Sequence, residues 1–286
     1  MVVLVTGASG QLGQSLQFIA SQYSEMQFVF ASSQDLDITN EDQVMAFFDN
    51  NKIDFCINTA AYTAVDKAES DQEKAYLVNV IGPKNLAIAC EKKKAVLVHV
   101  STDFVFDGLH EEPYLETDQT HPLGVYGQTK LEGENEVRTN CTKHFIIRTS
   151  WVYSQFGNNF MKTMLRLAQD RDELNIVADQ IGTPTNAVDL AHVILKILNQ
   201  EFSIDNLELF GIYHFSNEGV CSWFDFAKEI FRLNSISIRL NPISTESYPT
   251  PAKRPKYSVL NKSKIRTNFK IAIKDWKEAL AQTKIQ

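Results

Sequence analysis

The sequence has no surplus of positive charge and no long apolar run. Its formal net charge is −7, whereas binding to nucleic acid or to an anionic membrane relies on clustered lysine and arginine. No uninterrupted apolar stretch approaches the roughly 18 residues that a membrane-spanning helix needs. The N-terminus also lacks a basic segment followed by a small-residue cleavage site. We therefore expect a cytoplasmic protein with neither a nucleic-acid nor a membrane partner.

Cysteine is scarce, and arginine is missing from the first 137 residues. The four cysteines are widely spaced, with neither a C-x-x-C pair nor metal-ligand spacing. We expect them to be small buried side chains in a reducing compartment, and we expect no metal site. All eight arginines lie at or after Arg138. An anionic substrate would therefore find arginine more readily in the second half.

The first half of the chain alternates between short apolar strands and helical segments. Strands are predicted at residues 2–5, 28–30, 54–58, 95–100 and 144–148. Such alternation is typical of an α/β fold with a doubly wound parallel sheet and right-handed crossovers. The ligands of this fold lie beyond the carboxyl ends of the strands.

From about Trp151 the alternation loosens. We predict a Rossmann-like dinucleotide-binding domain at residues 1–150. A smaller C-terminal α/β substrate-binding lobe is predicted at residues 151–286, interleaved with the last strands of the first domain. Within the first domain, a single long helix is predicted over residues 67–93.

A glycine-rich turn follows the first predicted strand and opens a helix. Its sequence, T-G-A-S-G-Q-L-G, has glycine at positions 7, 10 and 13. Gly7 permits the tight turn, Gly10 lets the backbone approach a pyrophosphate, and Gly13 lets helix and strand pack closely. The helix N-terminus offers free N–H groups and a partial positive charge to phosphates. In this strand–loop–helix context the glycines predict a dinucleotide site.

The end of the second predicted strand leaves the cofactor preference open. Dinucleotide sites usually carry an acidic residue there that binds the ribose 2′-OH, but this chain has A-S-S-Q at 31–34. No arginine lies nearby to pair with a 2′-phosphate. The sequence therefore permits NADPH without excluding NADH. Asp37 is the nearest candidate for a contact on the adenine side, although it could equally well only begin the next turn.

A tyrosine and a lysine with helical spacing are candidates for proton transfer. Tyr126 is the one tyrosine followed four residues later by a lysine, Lys130, so the two side chains share a helix face. Burial raises the pKa of a phenol, so a neighbouring cation, such as Lys130 or an oxidised nicotinamide, must outweigh desolvation. Thr102 follows the fourth strand and could hydrogen-bond the substrate oxygen while Tyr126 donates a proton.

Taken together, the glycine loop, Thr102, Tyr126 and Lys130 resemble the extended short-chain dehydrogenase/reductases. Six segments also resemble dTDP-4-dehydrorhamnose reductases, in the order found in that family. They are S-T-D-F-V-F-D-G at 101–108, V-Y-G-Q-T-K at 125–130, R-T-S-W-V-Y-S at 148–154, G-N-N-F-M-K-T-M-L-R-L-A at 157–168, D-Q-I-G-T-P-T at 179–185 and P-T-P-A-K-R-P at 249–255. The resemblance implies reduction of the 4-keto group of dTDP-4-dehydro-L-rhamnose to dTDP-L-rhamnose, the last step of that pathway.

The resemblance also implies roles for the matching positions. Tyr126 is the acid/base, Lys130 holds the nicotinamide ribose, and Thr102 is the third catalytic residue. Substrate contacts are implied for Thr102, Asp103 and Trp151. Cofactor contacts are implied for Gly10, Gln11, Leu12, Asp37, Ile38, Ala61, Tyr62 and Thr63.

The residues themselves support some of these roles and extend them. The segment 60–63 follows the third predicted strand, so its backbone should line the crevice. Trp151 could form a flat apolar wall for a sugar face, or be an ordinary core tryptophan. Arg254 lies in the strongest basic cluster of the second half, with Lys253 and Lys256, and suits a substrate diphosphate, although a merely solvated loop is nearly as good an interpretation.

Two other classes of protein stay open. One is an NAD-dependent nucleotide-sugar epimerase or dehydratase. Dehydratases of this superfamily usually place an acidic pair beside the catalytic hydroxyl, whereas Phe104 follows Asp103 here, which disfavours them. The other is a non-catalytic NADP-binding regulatory subunit resembling the methionine adenosyltransferase beta subunit. The joint presence of Thr102, Tyr126 and Lys130 argues against it.

The oligomeric state is open except for one type of dimer. Some members of the family that this chain resembles have an acidic residue two positions after the last loop glycine. That residue helps to bind Mg²⁺ across a dimer. Ser15 occupies that position here, and a hydroxyl is a far weaker ligand than a carboxylate for a hard cation. We expect light scattering to give the same molar mass with and without EDTA. A dimer that the chelator dissociates would contradict this prediction.

Overall fold

The computed structural model describes residues 1–200 and 208–283. Its strands, in chain order, are β1 (Val2–Thr6), β2 (Gln27–Ala31), β3 (Phe55–Asn58), β4 (Val96–Thr102), β5 (His144–Thr149), β6 (Val152–Tyr153), β7 (Glu173–Val177), β8 (Ile181–Gly182), β9 (Thr185–Asn186), β10 (Gly211–His214), β11 (Cys221–Ser222) and β12 (Arg239–Ile243). Its α-helices are α1 (Gln11–Ile19), α2 (Glu41–Asn50), α3 (Val65–Ala68), α4 (Gln72–Tyr76), α5 (Gly82–Lys93), α6 (Val125–Asn140), α7 (Phe160–Asp170), α8 (Ala187–Leu198), α9 (Trp223–Leu233), α10 (Ser263–Phe269) and α11 (Trp276–Ala281).

Six parallel strands form the central sheet, in the order β10-β5-β4-β3-β1-β2. Because β1 lies between β2 and β3, the direction in which the chain crosses the sheet reverses there. The loops that follow β1 and β3 therefore diverge and leave a crevice at the carboxyl ends of these strands. The expected Rossmann-like parallel sheet is confirmed.

Helices cover both faces of the sheet, because successive strand residues point to opposite sides. Val3 and Val5 lie in a core with α1, α8 and α10, whereas Leu4 lies in the opposite core with α2, α5 and α6. Helix α8 and strand β10 come from the second half of the chain. Residues beyond 151 therefore complete both a face and an edge of the sheet.

A separate core holds the remaining elements of the second half together. It contains side chains of α7, α9 and α11 and of the parallel pair β7–β12, among them Met161, Leu174 and Phe226. Helix α9 begins with a capping box, in which the Ser222 hydroxyl accepts from the Asp225 amide and the Asp225 carboxylate accepts from the Ser222 amide.

The prediction of one long helix over residues 67–93 is wrong. The segment is divided into α3, α4 and α5, with a π-helical turn at Leu77–Ile81 before α5. Pro83 has no amide hydrogen to donate to the carbonyl of Asn79, four residues earlier, which favours a wider turn here. The same carbonyl packs so tightly on α6 that a Cβ built on Gly133 would lie 2.0 Å from it.

The cysteines are free and buried, as expected from their spacing. In residues 1–200 and 208–283, no group of three or more His, Cys, Asp or Glu side chains is arranged to hold a metal ion. Over the same ranges, no helix combines the length and the apolarity that crossing a membrane demands.

The glycine loop is tightly packed against the loop after β3. Gly7 has φ +69°, a backbone conformation that favours glycine, and a Cβ on it would lie 2.5 Å from the amide nitrogen of Ala60. A Cβ on Gly13 would lie 2.6 Å from the Gly7 carbonyl oxygen and 2.6 Å from the Ala8 Cα. Gly10 is exposed, and a Cβ there would meet only the Gly7 carbonyl, at 3.2 Å. The fold thus requires glycine at 7 and 13 more than at 10.

We predict that Gly13→Ala destabilises the protein by about 1–3 kcal/mol, because the added methyl group must displace backbone atoms. Gly10→Ser is the matched control, since it adds a side chain at the exposed N-cap of α1, where serine is favoured. Denaturant unfolding followed by circular dichroism measures both. Equal stability of the two variants would contradict the prediction.

Candidate active site

The N-terminus of α1 presents unsatisfied backbone donors to the crevice. Gly10 is its N-cap without a side-chain cap, and the first turn has no acidic residue. The amides of Gln11, Leu12 and Gly13 therefore have no intrahelical acceptor and suit an anion. Leu12 packs its side chain into the core. The residues present thus fit the diphosphate of a dinucleotide.

The side chain of Gln11 binds protein atoms of the second half. Its Nε2 donates to the Val152 carbonyl (3.3 Å), and its Oε1 accepts from the Ser154 hydroxyl (3.0 Å) and the Asn159 amide (2.9 Å). The Oε1 of Gln11 thus has two protein partners, whereas its backbone N–H stays available to a cofactor. The glycine loop is also attached to the segment that leads into α7.

The adenine-side candidates stabilise the turn after β2. The Asp37 carboxylate accepts from the Thr39 amide (2.9 Å) and hydroxyl (2.8 Å), so it has a structural role in this turn. The side chain of Ile38 lies in the core. Sequence reasoning missed Asp35, whose carboxylate accepts from the Ser32 amide (2.9 Å) and hydroxyl (2.6 Å). These hydrogen bonds lower the pKa of Asp35.

The segment containing Ala61, Tyr62 and Thr63 follows β3 and is fixed by a buried amide. Asn79, in the π-helical turn, accepts from the Tyr62 N–H (2.8 Å) and donates to the Tyr62 carbonyl (3.2 Å). The Tyr62 hydroxyl donates to Asp71 (3.0 Å), whereas Thr63 is exposed. The backbone of this segment adjoins the glycine loop, as the close approach of Gly7 to Ala60 shows.

Three polar side chains, one per turn, face β4 from α6. They are Tyr126, Lys130 and Glu134, and we call them the α6 stripe. Lys130 donates from Nζ to the Val100 carbonyl (2.7 Å), and Glu134 accepts from the Ser101 hydroxyl (2.5 Å). Tyr126 is close enough to Thr102 for the hydroxyl to lower the pKa of the phenol. The structure therefore brings the three expected catalytic residues together at the carboxyl end of β4.

A glycine that sequence reasoning missed permits this close approach. A Cβ on Gly127 would lie 2.2 Å from the carbonyl oxygen of Phe104, so the start of α6 rests directly on the turn after β4. The ring of Phe104 packs edge-on against Tyr126, with centroids 5.4 Å apart. The V-Y-G sequence was the available signal, because glycine inside a helix often marks a close packing contact.

The phenol does not have a lowered pKa in this ligand-free arrangement. Burial raises the pKa of Tyr126 to about 12, and the charge of Asp103 acts in the same direction. Lys130 is 2% exposed, and burial lowers the pKa of its amine to about 8 against the opposing influence of Glu134. Without the cofactor, the charge of Lys130 thus does not lower the pKa of Tyr126, because desolvation dominates the ionisation of both side chains.

Thr102 and Asp103 form a buried pair beneath the phenol. The Thr102 hydroxyl donates to the Asp103 carboxylate (3.0 Å), and burial raises the pKa of Asp103 to about 6. Thr102 also accepts from the Phe104 amide (3.2 Å), which fixes its rotamer. A substrate carbonyl arriving here would compete with Asp103 for the single hydrogen of this hydroxyl.

The third member of the α6 stripe forms a buried ion pair that sequence reasoning missed. Arg148, at the carboxyl end of β5, donates from Nε (2.9 Å) and Nη2 (2.7 Å) to the two carboxylate oxygens of Glu134. Exposure is 1% for Glu134 and 3% for Arg148. The available signal was a glutamate four residues after Lys130 and an arginine inside an apolar strand. Losing one partner of such a pair leaves an uncompensated buried charge.

A cavity of about 730 Å³ is lined mostly by the second half of the chain and reaches the candidate catalytic cluster at Phe104, whose ring packs on Tyr126. Trp151 lines it with φ +47°, a rare conformation for a bulky side chain. The indole of Trp151 stacks on Trp223 at 3.7 Å between ring centroids, and Trp223 Nε1 donates to Gln180 (3.2 Å). The apolar wall is therefore a pair of indoles, of which sequence reasoning identified one.

Arg254 lines the same cavity but already has a partner. Its Nη1 and Nη2 donate to the two carboxylate oxygens of Asp66, at 3.0 and 2.8 Å, and Nη1 also donates to the Thr250 hydroxyl and the Ala252 carbonyl. This pairing lowers the pKa of Asp66. The neighbouring Lys253 is exposed, and Lys256 pairs with Glu246 at 3.5 Å. The arginine is thus held in the cavity wall rather than in a solvated loop.

Comparison with known proteins identifies the family. The family model described as "RmlD substrate binding domain" matches residues 1–285. The chain is 45% identical to a dTDP-4-dehydrorhamnose reductase of Aggregatibacter actinomycetemcomitans, covering 97% of this chain and 96% of that one.

Two solved structures agree with this match. A dTDP-4-dehydrorhamnose reductase of Clostridium acetobutylicum has TM-score 0.92 and 46% identity, covering 99% of this chain and 98% of that one. The enzyme of that name from Bacillus anthracis, solved in complex with NADP, has TM-score 0.92 and 42% identity, covering 98% and 96%. With this full-length match and the three candidate catalytic residues at one strand end, the chain belongs to the RmlD family.

Proposed function

We propose that this chain is an NADPH-dependent dTDP-4-dehydrorhamnose reductase. It reduces the 4-keto group of dTDP-4-dehydro-L-rhamnose and so makes dTDP-L-rhamnose, the last step of that biosynthesis, in the cytoplasm. The observation that carries the proposal is the meeting of Thr102, Tyr126 and Lys130 beside the glycine-loop crevice. Relatives at 40–45% identity over nearly the whole chain bear the same enzyme name.

In this proposal the residues of the chain orient the carbonyl and supply the proton. NADPH, when bound, supplies the hydride that reaches the carbonyl carbon. The phenol of Tyr126 gives its proton to the 4-oxygen, so that C=O becomes CH–OH and the tyrosine becomes a phenolate, which solvent must reprotonate. The Thr102 hydroxyl turns its single hydrogen from the Asp103 carboxylate to the same oxygen and donates a hydrogen bond to it. Lys130 holds the nicotinamide ribose, and its positive charge then favours the phenolate.

The remaining assigned residues bind the two ligands. The cofactor lies along Gly7, Gly10 and Gly13, the amides of Gln11 and Leu12, the turn at Asp37 and Ile38, and the segment 61–63. The sugar nucleotide occupies the cavity lined by Trp151 and Arg254, and its sugar extends past Phe104 towards Asp103. The stacked indoles of Trp151 and Trp223 form an apolar wall, which excludes water from the apolar face of a deoxysugar.

Anaerobic turnover of dTDP-4-dehydrorhamnose tests the function directly. The absorbance loss of NADPH and of NADH is followed in separate reactions, with product analysis by chromatography. One equivalent of reduced cofactor consumed per dTDP-rhamnose formed supports a reductase. Conversion of a dTDP-sugar without net consumption of reduced cofactor would identify an epimerase or dehydratase instead. Cofactor binding without turnover would identify a regulatory subunit.

Tyr126→Phe should reduce kcat by about 100-fold or more, because it removes the proton donor. Its dissociation constant for NADPH, measured by fluorescence, should stay within about twofold of the original protein. Tyr76→Phe is the matched control, since Tyr76 is 45% exposed on α4. Undiminished turnover by Tyr126→Phe would remove the basis for this catalytic assignment.

Arg254→Ala should raise KM for the sugar nucleotide about tenfold or more, because the substrate loses a cation and meets an unpaired Asp66 carboxylate. The dissociation constant for NADPH should not change. Arg232→Ala is the control, because it removes an arginine that pairs with Glu229 on the surface of α9. If both variants raise KM equally, Arg254 has no specific role in substrate binding.

A further inference from the structure

A row of buried polar side chains crosses the sheet and ends at Lys130. Thr6, Asn58 and His99 occupy paired positions on β1, β3 and β4. The Thr6 hydroxyl lies 2.8 Å from Asn58 Oδ1, Asn58 Nδ2 lies 3.0 Å from His99 Nδ1, and His99 Nε2 lies 3.4 Å from Lys130 Nζ. Each of the four residues is at most 2% exposed. The row connects the strand that leads into the glycine loop with the proposed catalytic lysine.

The direction of these hydrogen bonds fixes where the proton of His99 lies. The Oδ1 of Asn58 accepts from the Thr6 hydroxyl and from the Ala60 N–H (3.1 Å), so the amide group of Asn58 must face His99. Nδ1 of His99 therefore accepts. Burial lowers the pKa of His99 well below its usual range, so the ring is neutral and carries its single proton on Nε2. That N–H points at the nitrogen of Lys130.

An ammonium group fits poorly opposite this N–H. An ammonium has only donors, so the two N–H groups would face each other across 3.4 Å. A neutral amine can accept from His99 with its lone pair while it donates to the Val100 carbonyl. This pattern of donors thus favours the neutral amine.

The other ionisable groups around the amine do not reverse this preference. Glu134 favours the charged form from one turn along α6, but its carboxylate is already bound by Arg148 and Ser101. The phenol of Tyr126, on the same helix, is neutral at physiological pH because burial raises its pKa. Burial of Lys130 itself lowers the pKa of its amine, in agreement with the hydrogen-bond pattern.

We propose that His99 is a positioning residue that favours the neutral form of the Lys130 amine in mildly alkaline solution before NADPH binds, with Asn58 fixing the tautomer of the imidazole. The significance of Lys130 rests on the function proposed above. Bound NADPH brings negative phosphates and hydroxyl acceptors, which favour an ammonium. Above about pH 8, where the amine is mostly neutral, cofactor binding is therefore accompanied by uptake of a proton from solvent, which converts the amine of Lys130 into an ammonium.

The first test locates the proton in the ligand-free protein. Nitrogen-15 NMR of histidine-labelled protein distinguishes the two neutral tautomers and the imidazolium, and His99→Gln identifies the signal. We expect His99 to carry its proton on Nε2 between about pH 6 and 8. A proton on Nδ1, or a charged ring, would overturn the proposal. This measurement needs no ligand, so its result is independent of the proposed enzyme activity.

The second test reverses the direction of the hydrogen bonds between residue 58, His99 and Lys130. Asn58→Asp keeps the acceptor for Thr6 and Ala60 but replaces the amide donor by an acceptor, so the His99 proton should move to Nδ1. Nε2 then accepts from an ammonium, and we expect the pKa of Lys130 to rise by about one unit or more. Asn261→Asp is the matched control, because Asn261 lies outside the row and its side chain accepts from the Ser263 amide.

Proton uptake on NADPH binding is measured at about pH 8 or above. The method is calorimetry in two buffers of different ionisation enthalpy. We expect proton uptake by the original protein and by Asn261→Asp, and clearly less by Asn58→Asp. Equal uptake by all three proteins, or no shift of the His99 tautomer in Asn58→Asp, would overturn the proposal. Absence of NADPH binding by the original protein would instead contradict the proposed function. If Asn58→Asp does not fold, the tautomer in the original protein decides.

Discussion

The site depends on the direct contact of α6 with β4 and the turn that follows it. Gly127 allows the start of the helix to rest on the Phe104 carbonyl, and from there each turn of α6 places one polar side chain against the strand. Tyr126 reaches Thr102, Lys130 reaches the Val100 carbonyl, and Glu134 reaches Ser101. A side chain at position 127 would move the helix outward and separate all three contacts at once. The absence of a side chain at Gly127 thus determines the geometry of the α6 stripe.

That contact also explains the electrostatics of the site. Packing the α6 stripe against the sheet removes water from its members, and desolvation then dominates the ionisation of Tyr126, Lys130 and Asp103. Glu134 and Arg148 retain their charges because the two side chains pair directly. Lys130 and Asp103 instead have pKa values near neutrality, about 8 and about 6, so small changes in their surroundings alter their charge. An anionic cofactor would change the ionisation of these groups by adding negative charge to the site.

The sequence was sufficient for features that depend on local spacing. The sheet follows from the strand–helix alternation, and the proximity of Tyr126 to Lys130 follows from helix periodicity. Contacts between distant segments could not be predicted in this way. The pairing of Arg254 with Asp66 spans 188 residues, and that of Gln11 with Asn159 spans 148. The prediction of one helix over residues 67–93 failed for a related reason. The π-helical turn that interrupts this segment packs against α6, and the sequence does not show that tertiary contact.

The mixed origin of the sheet has a consequence for how the chain is synthesised. Strand β10 pairs with β5 across about 60 intervening residues, and α8 (Ala187–Leu198) packs on α1 (Gln11–Ile19). A ribosome that has released only the first 150 residues has therefore produced an incomplete sheet, one face of which is covered by α1 but not yet by α8 and α10. Such a nascent segment must wait for α10, which ends at Phe269, before its core can close, and until then its exposed apolar surface favours aggregation.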